Sequence, residues 1–512
     1  MPTNTQPSTA DSKVVAKALK KFEDIYQDHE HFARGVETNY KAYKGIMGAH
    51  SDAARWRSNQ HPPLAKSIIE TFIANIEEDK LFFSIKPRGK ITTSEEFEQI
   101  KQATRGQELL INYQLDVDRI AEKQRAFSLQ AAIAGVSAIK SYWRRDYHRD
   151  GPCAEVVDVR DLIFPHNAVS MESLPCLYHR VWKTYEDLEE LERLGVYKNV
   201  SQLKETQDFS SEAEGREQDI FNIQRTKGKL EVLEMWTPKK TLTIGGRKVL
   251  LADERDNPFQ FDHLPHRYPF QIVSSMPDLF RLVGMSEIDS IKHIQEMIWS
   301  LMNQRLDSAE LASNAIIMMR SDLEDPDAYE FAPGEKWLVD DPNQIKWFEP
   351  NPQITKALLE AEQLLMGLLQ VVTGGLPMLS GAETSTISNQ TATGVSLFTS
   401  MAQKLMARKK QQFLWAFERM GDQWMAMNGQ FLTAEQLVPI IGKDGVMFYE
   451  SVLPTGDASR YKVKLTAAAE SLIRQERRAE SQAVLQMAVQ IAPAFMAVGM
   501  PINLRAFLVD YL

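Results

Sequence analysis

Hydrophobic residues recur at helical spacing late in the chain and predict a long helix between two turn-forming segments. The recurring positions are Leu358, Ala361, Leu365, Leu368 and Val372. Asn351 is a preferred N-cap residue and Pro352 suits the first helical position, while Gly374 and Gly375 end the pattern. The spacing therefore predicts a helix over 352–372, which would be about 31 Å long at about 1.5 Å per residue.

A second, longer helix is predicted beyond a segment that is almost free of charge. Residues 375–394, GLPMLSGAETSTISNQTATG, are rich in Ser, Thr and Gly, and Glu383 is their only charged residue. The apolar positions of the helix that follows are Val395, Phe398, Met401, Leu405, Phe413, Phe417, Met420, Trp424 and Met427. The segment between the helices is either a flexible connector or a loop that touches a moving polyanion without gripping it, and the spacing leaves both interpretations open.

The rest of the pattern predicts a mainly helical α+β protein. Helices are predicted over 13–43, 64–78, 95–134, 185–194 and 282–311, the last with Ser286 and Asp289 as a capping box. Strands are predicted at 81–87, 135–147, 154–165 and 176–184, followed by a charge-dense surface excursion at 199–229. Segments 230–238 and 240–253 predict a hairpin with Gly245–Gly246 at its turn. A small β module is predicted at 315–350, a strand pair at 445–454 and 460–468, and helices after it.

Length and charge limit the classes of function that remain. With 512 residues and a mass of 58.3 kDa, the chain predicts two or three domains. Its formal net charge of −10 means that, if the protein meets DNA, it does so without a broad cationic face. Cys153 and Cys176 provide no disulfide framework and suit a reducing compartment. Residues 1–12 are polar and predict a disordered N-terminal tail.

One uncharged stretch, Ser481–Leu504, has the length of a membrane span, which needs about 20 apolar residues. However, Gln482, Gln486 and Gln490 recur at every fourth position and make one helix face polar, and Pro493 interrupts the run. The pattern therefore favours a packed amphipathic helix over a span.

Motifs for catalysis are absent from the sequence. The chain contains no G-x-x-x-x-G-K-[ST], G-x-S-x-G or H-E-x-x-H sequence, and no cysteines at zinc-binding spacing. His29 and His31 lie two residues apart on a predicted helix and so face different directions, and His263 and His266 lie in a proline-broken loop. We therefore predict no catalytic residue, no metal site and no cofactor, and a protein that is not an enzyme.

One basic cluster stands out midway along the second long helix. It consists of Lys404, Arg408, Lys409 and Lys410. The cluster is either a solvated helix face or a set of cations that meets phosphate when several copies surround an axis. Arg474, Arg477 and Arg478 are weaker candidates with the same two interpretations. Trp337 and Trp347, in the small β module, are candidates for either a core or an interface with a partner.

The order of these segments resembles that of a tailed-bacteriophage portal protein, the head-to-tail connector. The residues that carry the resemblance are PHNAVSMESLPCLYHRVWKTYEDLEEL, GMSEIDSIKHIQEMIWSLMNQRLDSAEL, AIIMMRS through WFEP, NPQITKALLEAEQLLMGLLQVVTGG and LSGAETSTISNQTATGV. In that order they resemble the wing strand and helix, the helix that enters the stem, the clip, the returning stem helix, and the tunnel loop with the start of the long kinked helix. The resemblance covers roughly residues 20 to 490, and the C-terminal region is shorter than in members with an extended helical barrel.

The resemblance implies a division of the chain into named parts. They are the disordered tail 1–12, the wing 13–281, a first stem helix 282–311, the clip 312–350, a second stem helix 351–373, the tunnel loop 374–394, the long kinked helix with the wing return 395–466, and a short helical crown 467–512. The same resemblance implies channel-facing roles for Glu383, Asn389, Gln390 and Thr391 and for Lys404, Arg408, Lys409 and Lys410. It also implies that Trp337 and Trp347 lie at a clip or partner interface.

The resemblance further implies a ring of about twelve subunits at one vertex of the virion capsid, assembled in the host cytoplasm. Double-stranded DNA would pass through the ring, in packaging and in ejection, without sequence recognition. The implied partners are further copies of the chain, the terminase large subunit docked on the clip, the major capsid and scaffold proteins, and later tail or adaptor proteins. An acidic ring with a few cationic contacts fits such sliding, because most of its surface repels DNA.

Two other classes of function remain open from the residues alone. One is an assembly or membrane-associated adaptor that forms rings without DNA passage. The other is a cryptic hydrolase that acts on DNA. A stain-filled axial hole of about 20 Å or more would distinguish the channel from the adaptor, and metal-dependent turnover by the chain alone would favour the hydrolase.

Overall fold

The computed structural model describes residues 9–46, 57–77, 81–87, 94–145, 150–205, 228–261, 263–313, 316–319, 345–348, 352–373, 392–432 and 461–465. Several predictions lie outside these residues, namely the strand at 445–454, the helices beyond 467 and the loop residues 374–391.

Helices and antiparallel strands occur in separate short runs along the described chain, which is compatible with the predicted α+β class. The helices are α1 (Thr9–Lys44), α2 (Leu64–Ile76), α3 (Ser94–Val117), α4 (Ile120–Ala134), α5 (Tyr185–Arg193), α6 (Lys292–Ser313), α7 (Pro352–Val372) and α8 (Ala392–Phe431). The strands are β1 (Phe83–Pro87), β2 (Val136–Arg145), β3 (Asp150–Val157), β4 (Leu162–Ile163), β5 (Leu177–Thr184), β6 (Lys229–Trp236), β7 (Lys240–Gly245), β8 (Val249–Asp256), β9 (Phe270–Ser274), β10 (Ile316–Met319), β11 (Ile345–Phe348) and β12 (Tyr461–Leu465).

Two larger sheets organise the middle of the chain. One has the strand order β3-β2-β9 and the other has the order β4-β5-β6-β7-β8. Two-stranded pairs join β1 to β12 and β10 to β11, and every pairing between described strands is antiparallel. The predicted hairpin is therefore part of a larger meander, in which Gly245 and Gly246 lie at the turn between β7 and β8.

Both faces of the five-stranded sheet are covered by helix or turn. On one face α1 contributes Val15 and Phe22 to a buried cluster with alternate residues of the strands, among them Leu233. On the other face α5 and the 3₁₀ turn Val200–Glu205 contribute Leu188 and Leu203 to a second cluster with the intervening strand residues. Successive residues of a β-strand point to opposite faces of the sheet, so alternate residues of one strand enter the two buried clusters.

A buried group of charges ties α1 to this sheet. The carboxylate of Glu231, whose side chain is fully buried, accepts hydrogen bonds from Arg247 Nε at 2.7 Å and Nη2 at 3.0 Å. Arg180 lies 3.9 Å from the same carboxylate and donates to Asp161 at 2.7 Å. Burial opposes ionisation of Arg180, but Asp161 and Glu231 outweigh it and raise the pKa of this guanidinium. The guanidinium of Arg247 also lies 5.4 Å from the ring centre of Phe22 on α1.

The largest buried cluster lies around α8. Phe413, Phe417 and Trp424 on this helix are almost fully buried, and they pack with side chains from α2 and α4. The ring of Phe127 on α4 meets that of Phe417 edge-on, with centroids 5.4 Å apart. Where the side chains of α8 are described, from residue 403 onward, the predicted apolar stripe is confirmed from Phe413 to Met427. Leu405 is an exception, since it is exposed and Met406 is buried instead.

The helix predicted over 282–311 is wrong at its beginning, because α6 starts only at Lys292. Tertiary partners hold the backbone N–H groups of the preceding residues. Leu282 donates to Ala168, Met285 donates to Met276, and Glu287 donates to Ala132 at 3.0 Å. The predicted capping pair does form, with Asp289 N–H donating to Ser286 Oγ at 2.9 Å, but it closes a turn and not the first turn of the helix.

Two further predictions are corrected by buried polar or apolar side chains. The helix predicted over 95–134 is two helices, because Arg119 adopts a left-handed conformation with φ 51° and the buried Asp118 accepts a hydrogen bond from Ala154 N–H. The excursion predicted at 199–229 begins with a packed segment, since Val200 and Leu203 are buried against the sheet. Residues 206–227 lie outside the described part of the chain.

Other predicted elements are close to the structure. The helix predicted over 352–372 is α7 with the same bounds, and α5 ends one residue before the prediction. Helix α1 begins at Thr9, so residues 9–12 of the predicted disordered tail are helical. Strand β12 pairs with β1, and its predicted partner at 445–454 lies outside the described residues.

Two glycines meet where α4 ends and the turn before α6 begins. Gly135 has φ 78° and closes α4, and a Cβ added to it would lie 2.5 Å from the carbonyl oxygen of Gly284. A Cβ on Gly284 would overlap Ser274 Oγ and the carbonyl oxygen of Met276. Only glycine therefore allows β9, α4 and the turn to approach this closely.

We expect Gly284→Ala to lower the free energy of unfolding by about 3 kcal/mol, because the new methyl group has no space without movement of the backbone. Gly35→Ala is the matched control, since nothing lies within 4 Å of a Cβ at Gly35. We expect that control to raise stability by about 0.5 kcal/mol, because Gly35 lies inside α1. Urea unfolding of both variants measures the difference, and equal stabilities would contradict the assigned contact.

Candidate nucleic-acid interface

The four residues of the predicted basic cluster lie on α8, but their side chains have different environments. Lys404 and Arg408 are exposed and lie one turn apart on the same side of the helix. Among the described residues, neither of them pairs with an acidic side chain. Lys409 and Lys410 are partly buried. The sequence cluster therefore divides into an exposed pair and two residues that lie closer to the protein interior.

The exposed pair belongs to a longer stripe along α8. The stripe consists of Lys404, Arg408, Gln411 and Trp415, which recur at every third or fourth position and are all exposed. We call these four residues the exposed stripe. The indole of Trp415 is 50% exposed although Trp is usually well covered. The stripe combines two fixed positive charges with an amide and an aromatic surface. The two cations suit contacts with phosphate that do not depend on base sequence. The aromatic surface beside them suits a contact with protein.

Lys409 has a partner within the subunit. Its Nζ donates to Glu287 Oε1 at 2.6 Å, and Ser275 Oγ donates to the same oxygen at 2.6 Å. The two charged side chains are only 13% and 8% exposed. Lys409 Nζ also lies 5.2 Å from the ring centre of Phe72, a fully buried residue of α2. The structure thus gives Lys409 a role in joining α8 to α2 and to the turn before α6, and distinguishes it from Lys404 and Arg408.

The turn that carries Glu287 is itself held by a buried polar network. Asn39 on α1 donates to Ser286 Oγ at 3.0 Å and to Asp289 Oδ1 at 3.2 Å. Lys292, the first residue of α6, donates to Asp289 at 2.9 Å. Burial opposes ionisation of Asp289, but the hydrogen bonds from Lys292 and Ser286 outweigh it and hold the pKa of this carboxyl below its ordinary value. The start of α6 is therefore fixed to α1, α4 and α8 together.

Other candidate residues are described in part or not at all. Trp347 lies on β11, where its backbone is paired with Ile317 of β10. Trp337, the four loop candidates Glu383, Asn389, Gln390 and Thr391, and the arginines 474, 477 and 478 lie outside the described residues. Their channel and interface roles stay predictions.

Two histidines from the sequence analysis, His29 and His266, and both cysteines are buried inside the fold. His29 Nε2 contacts the carbonyl oxygen of Arg160 at 2.8 Å, and its ring stacks with that of His166. Burial lowers the pKa of His266 to about 4, and its Nε2 contacts Gln271 at 3.0 Å. Both cysteines are buried, and no disulfide joins them. In the described part of the chain no group of three or more His, Cys, Asp or Glu side chains could hold a metal ion.

None of the described helices combines the length and the apolar composition that crossing a bilayer requires.

Analysis of the sequence alone does not identify two features of the site, namely the exposed Trp415 and the pairing of Lys409 with Glu287. Trp415 follows Arg408 by seven residues, so it lies on the polar side of α8, and that spacing is the signal that could have identified it. Glu287 is separated from Lys409 by 122 positions, and no local pattern marks that pairing.

Comparison with known families gives a match over most of the chain. The model of the family described as phage SU10 portal protein matches residues 85–508 of this chain. A comparison with curated proteins finds no similar sequence. The exposed stripe, the Lys409–Glu287 pair and α7 all lie within the matched residues.

We expect Lys409→Ala to lower the free energy of unfolding by about 3 kcal/mol, because it leaves the buried carboxylate of Glu287 without its cation. Lys404→Ala combined with Arg408→Ala is the control on the same helix, and we expect it to change stability by less than about 0.5 kcal/mol per residue. Chemical unfolding monitored by circular dichroism measures both. Equal losses in the two variants would contradict the division of the cluster.

Proposed function

We propose, because the chain belongs to the phage SU10 portal protein family, that it forms the ring-shaped channel through which double-stranded DNA enters and leaves a phage capsid. Membership of the family gives the chain a portal role in a bacteriophage, at the capsid vertex and together with other phage components. The proposal adds to this role a closed ring of about twelve copies, passage of DNA through its axis, and successive docking of terminase and of tail or adaptor proteins.

An apolar stripe on α7 is the observation that carries the ring proposal. The stripe consists of three residues that recur at every third or fourth position, Leu364, Leu368 and Val371, which are 75%, 46% and 71% exposed. The opposite side of α7 is packed, because Leu369 is buried in the main core and Arg305 of α6 pairs with Glu362 at 3.0 Å. Contiguous exposed apolar side chains on a soluble helix indicate a protein interface. A neighbouring copy in the ring would cover them.

The charges of α8 support passage of DNA. The chain has a net charge of −10, so a ring of such chains repels DNA over most of its surface. Lys404 and Arg408 provide isolated cations on the exposed stripe, and each copy would add the same pair around the axis. A few phosphate contacts against a repelling background hold DNA weakly and without sequence preference, which permits sliding.

The proposed parts of the chain follow the order of the described elements. We assign α6 and α7 to the stem, the β10–β11 pair to the clip, the segment between α7 and α8 to the tunnel loop, and the two larger sheets with α1 and α5 to the wing. The clip would carry the terminase docking surface. The motor energy would come from that partner, because the chain has no phosphate-binding loop of its own.

Electron microscopy of the purified chain tests the proposal directly. We expect rings with an axial hole of about 20 Å or more, wide enough for duplex DNA. Rings without a hole would favour the adaptor, and metal-dependent cleavage of DNA by the chain alone would favour the hydrolase.

We expect Leu364→Asp combined with Val371→Asp to reduce ring formation at least about tenfold, because two carboxylates replace apolar contacts at the interface. The monomer should keep its melting temperature, since both side chains are already exposed. Gln363→Asp adds one such charge at an exposed position on another side of α7 and serves as the control for the position of the charge. Mass photometry of the three proteins measures the ring fraction, and normal rings in the double variant would remove α7 from the interface.

We expect Lys404→Ala combined with Arg408→Ala to change the amount of DNA that capsids retain while rings still assemble. The physical reason is the loss of two phosphate contacts in every copy. Nuclease-protected DNA from capsids carrying the variant portal measures retention, and Lys66→Ala, at an exposed lysine of α2, is the control. Loss of rings in the double variant would assign the pair to a subunit interface instead.

A further inference from the structure

Exposed lysines form a basic surface on the first half of α1. The lysines are Lys13, Lys17, Lys20 and Lys21, and all four are exposed. No acidic residue lies between Lys13 and Lys21. Lys13, Lys17 and Lys20 recur at every third or fourth position and lie on one side of the helix. We call these three residues the basic face. Val14, beside them, is 36% exposed and adds apolar area.

The helix α5 presents the opposite charge. Glu186 and Glu190 are exposed and lie one turn apart, and Leu194 continues the same side of the helix with 70% of its surface exposed. We call these three residues the acidic face. Val196, which follows, is 41% exposed. Leu194 lies one turn after the carboxylate of Glu190 and directly after the exposed Arg193. An exposed leucine among charged side chains has the composition of an interface centre with a charged rim, and not that of a simple solvated face.

The two faces lie on opposite sides of one rigid module. Helix α1 packs on one face of the five-stranded sheet through Phe22, Ala18 and Val15. Helix α5 packs on the other face through Leu188, which is fully buried. Tyr178 of β5 donates to the carbonyl oxygen of Ala18 at 2.8 Å, so α1 is fixed to the sheet by a buried hydrogen bond as well as by packing. The sheet therefore holds the basic face and the acidic face pointing away from each other.

We propose that the basic face of one copy binds the acidic face of the next copy, and that this head-to-tail contact is one interface of the ring. The inference rests on the proposed ring. It follows from geometry and charge, because complementary surfaces on opposite sides of a module generate heterologous contacts that repeat from copy to copy. Charge complementarity fixes the direction of the contact, since two basic or two acidic faces repel. Leu194 and Val14 add apolar contact beside the ion pairs.

A second copy fits these surfaces better than DNA does. The lysines of α1 alone would suit phosphate, but DNA offers nothing to the acidic face, and in a ring every copy carries both faces. Each exposed ion pair is weak by itself and is screened by salt beyond about 8 Å at physiological ionic strength. The contact gains strength by repetition around the ring, because each copy contributes one such interface and closure requires all of them.

Charge reversal in two separate variants tests the contact in the full chain. The first variant carries Lys17→Glu and Lys20→Glu, and the second carries Glu186→Lys and Glu190→Lys. Each variant places like charges against each other in every interface, so we expect each to reduce the ring fraction at least about tenfold at about 0.15 M salt. Mass photometry measures the ring fraction, and thermal melting checks that each variant folds as the unchanged chain does.

A mixture of the two variants gives the decisive result. In an equal mixture each reversed face can meet the complementary reversed face of the other variant, so alternating rings should form. We expect the mixture to recover at least half of the ring fraction of the unchanged chain. A misfolded surface cannot be rescued in this way, and neither DNA binding nor an unrelated partner on α1 predicts the recovery.

Two controls keep the result specific. Lys66→Glu with Lys86→Glu lowers the net charge by the same amount as the first reversed variant, at exposed lysines of α2 and β1, and it should leave the ring fraction unchanged. Lys17→Gln with Lys20→Gln removes charge without reversal, and it should give a smaller loss that disappears at high salt.

Normal rings in both reversed variants, or a mixture no better than either variant alone, would overturn the assigned interface while leaving the proposed ring intact. Absence of rings in the unchanged chain would instead contradict the proposed function.

Discussion

The hydrogen-bonded ion pair between Lys409 and Glu287 determines how the long helix α8 meets the rest of the protein. Both charges lie almost entirely out of water, where either alone would be strongly unfavourable. Ser275 Oγ donates a second hydrogen bond to the carboxylate of Glu287, and the ring of Phe72 lies beside the ammonium group of Lys409. A displacement of α8 relative to the turn before α6 would separate the charges. The position of the exposed stripe therefore follows from an interaction on a neighbouring part of the same helix.

The same constraint connects the proposed stem with the proposed wing. The turn before α6 is held by Asn39 of α1 and by the carbonyl group of Ala132 of α4, while Arg305 joins α6 to α7. Forces on the stem would thus reach α1 and α8 through polar contacts with defined geometry, and not through a flexible linker. The basic and acidic faces are fixed in a comparable way, because α1 and α5 pack on opposite sides of one antiparallel sheet.

Local signals in the sequence predict local structure well. In the sequence, Pro352 and the Gly374–Gly375 pair predict a helix over 352–372, and α7 has the same bounds. The start of α6 could not be predicted in this way, because its backbone donors bond to Ala168, Met276 and Ala132, which are remote in sequence. The division of the basic cluster has the same origin. Lys404 and Lys409 look alike in the sequence, and only the fold brings Glu287 to one of them. The family resemblance, carried by five segments in order, was confirmed by the match to residues 85–508.

The pairing of β1 with β12 cannot form until the ribosome has synthesised residue 465. Strand β12 pairs with β1 over residues 83–87 and 461–465, and Val463 is fully buried there. At roughly 5 to 20 residues per second, a ribosome needs about 20 to 75 s to reach β12 after it has made β1. During that interval β1 has no partner from β12, and Phe83 of β1, which lies with Val463 near Gly421 of α8 in the folded protein, lacks this packing. Since an unpaired strand edge favours pairing with another chain, a product that ends before residue 461 exposes an edge at β1 that is open to aggregation.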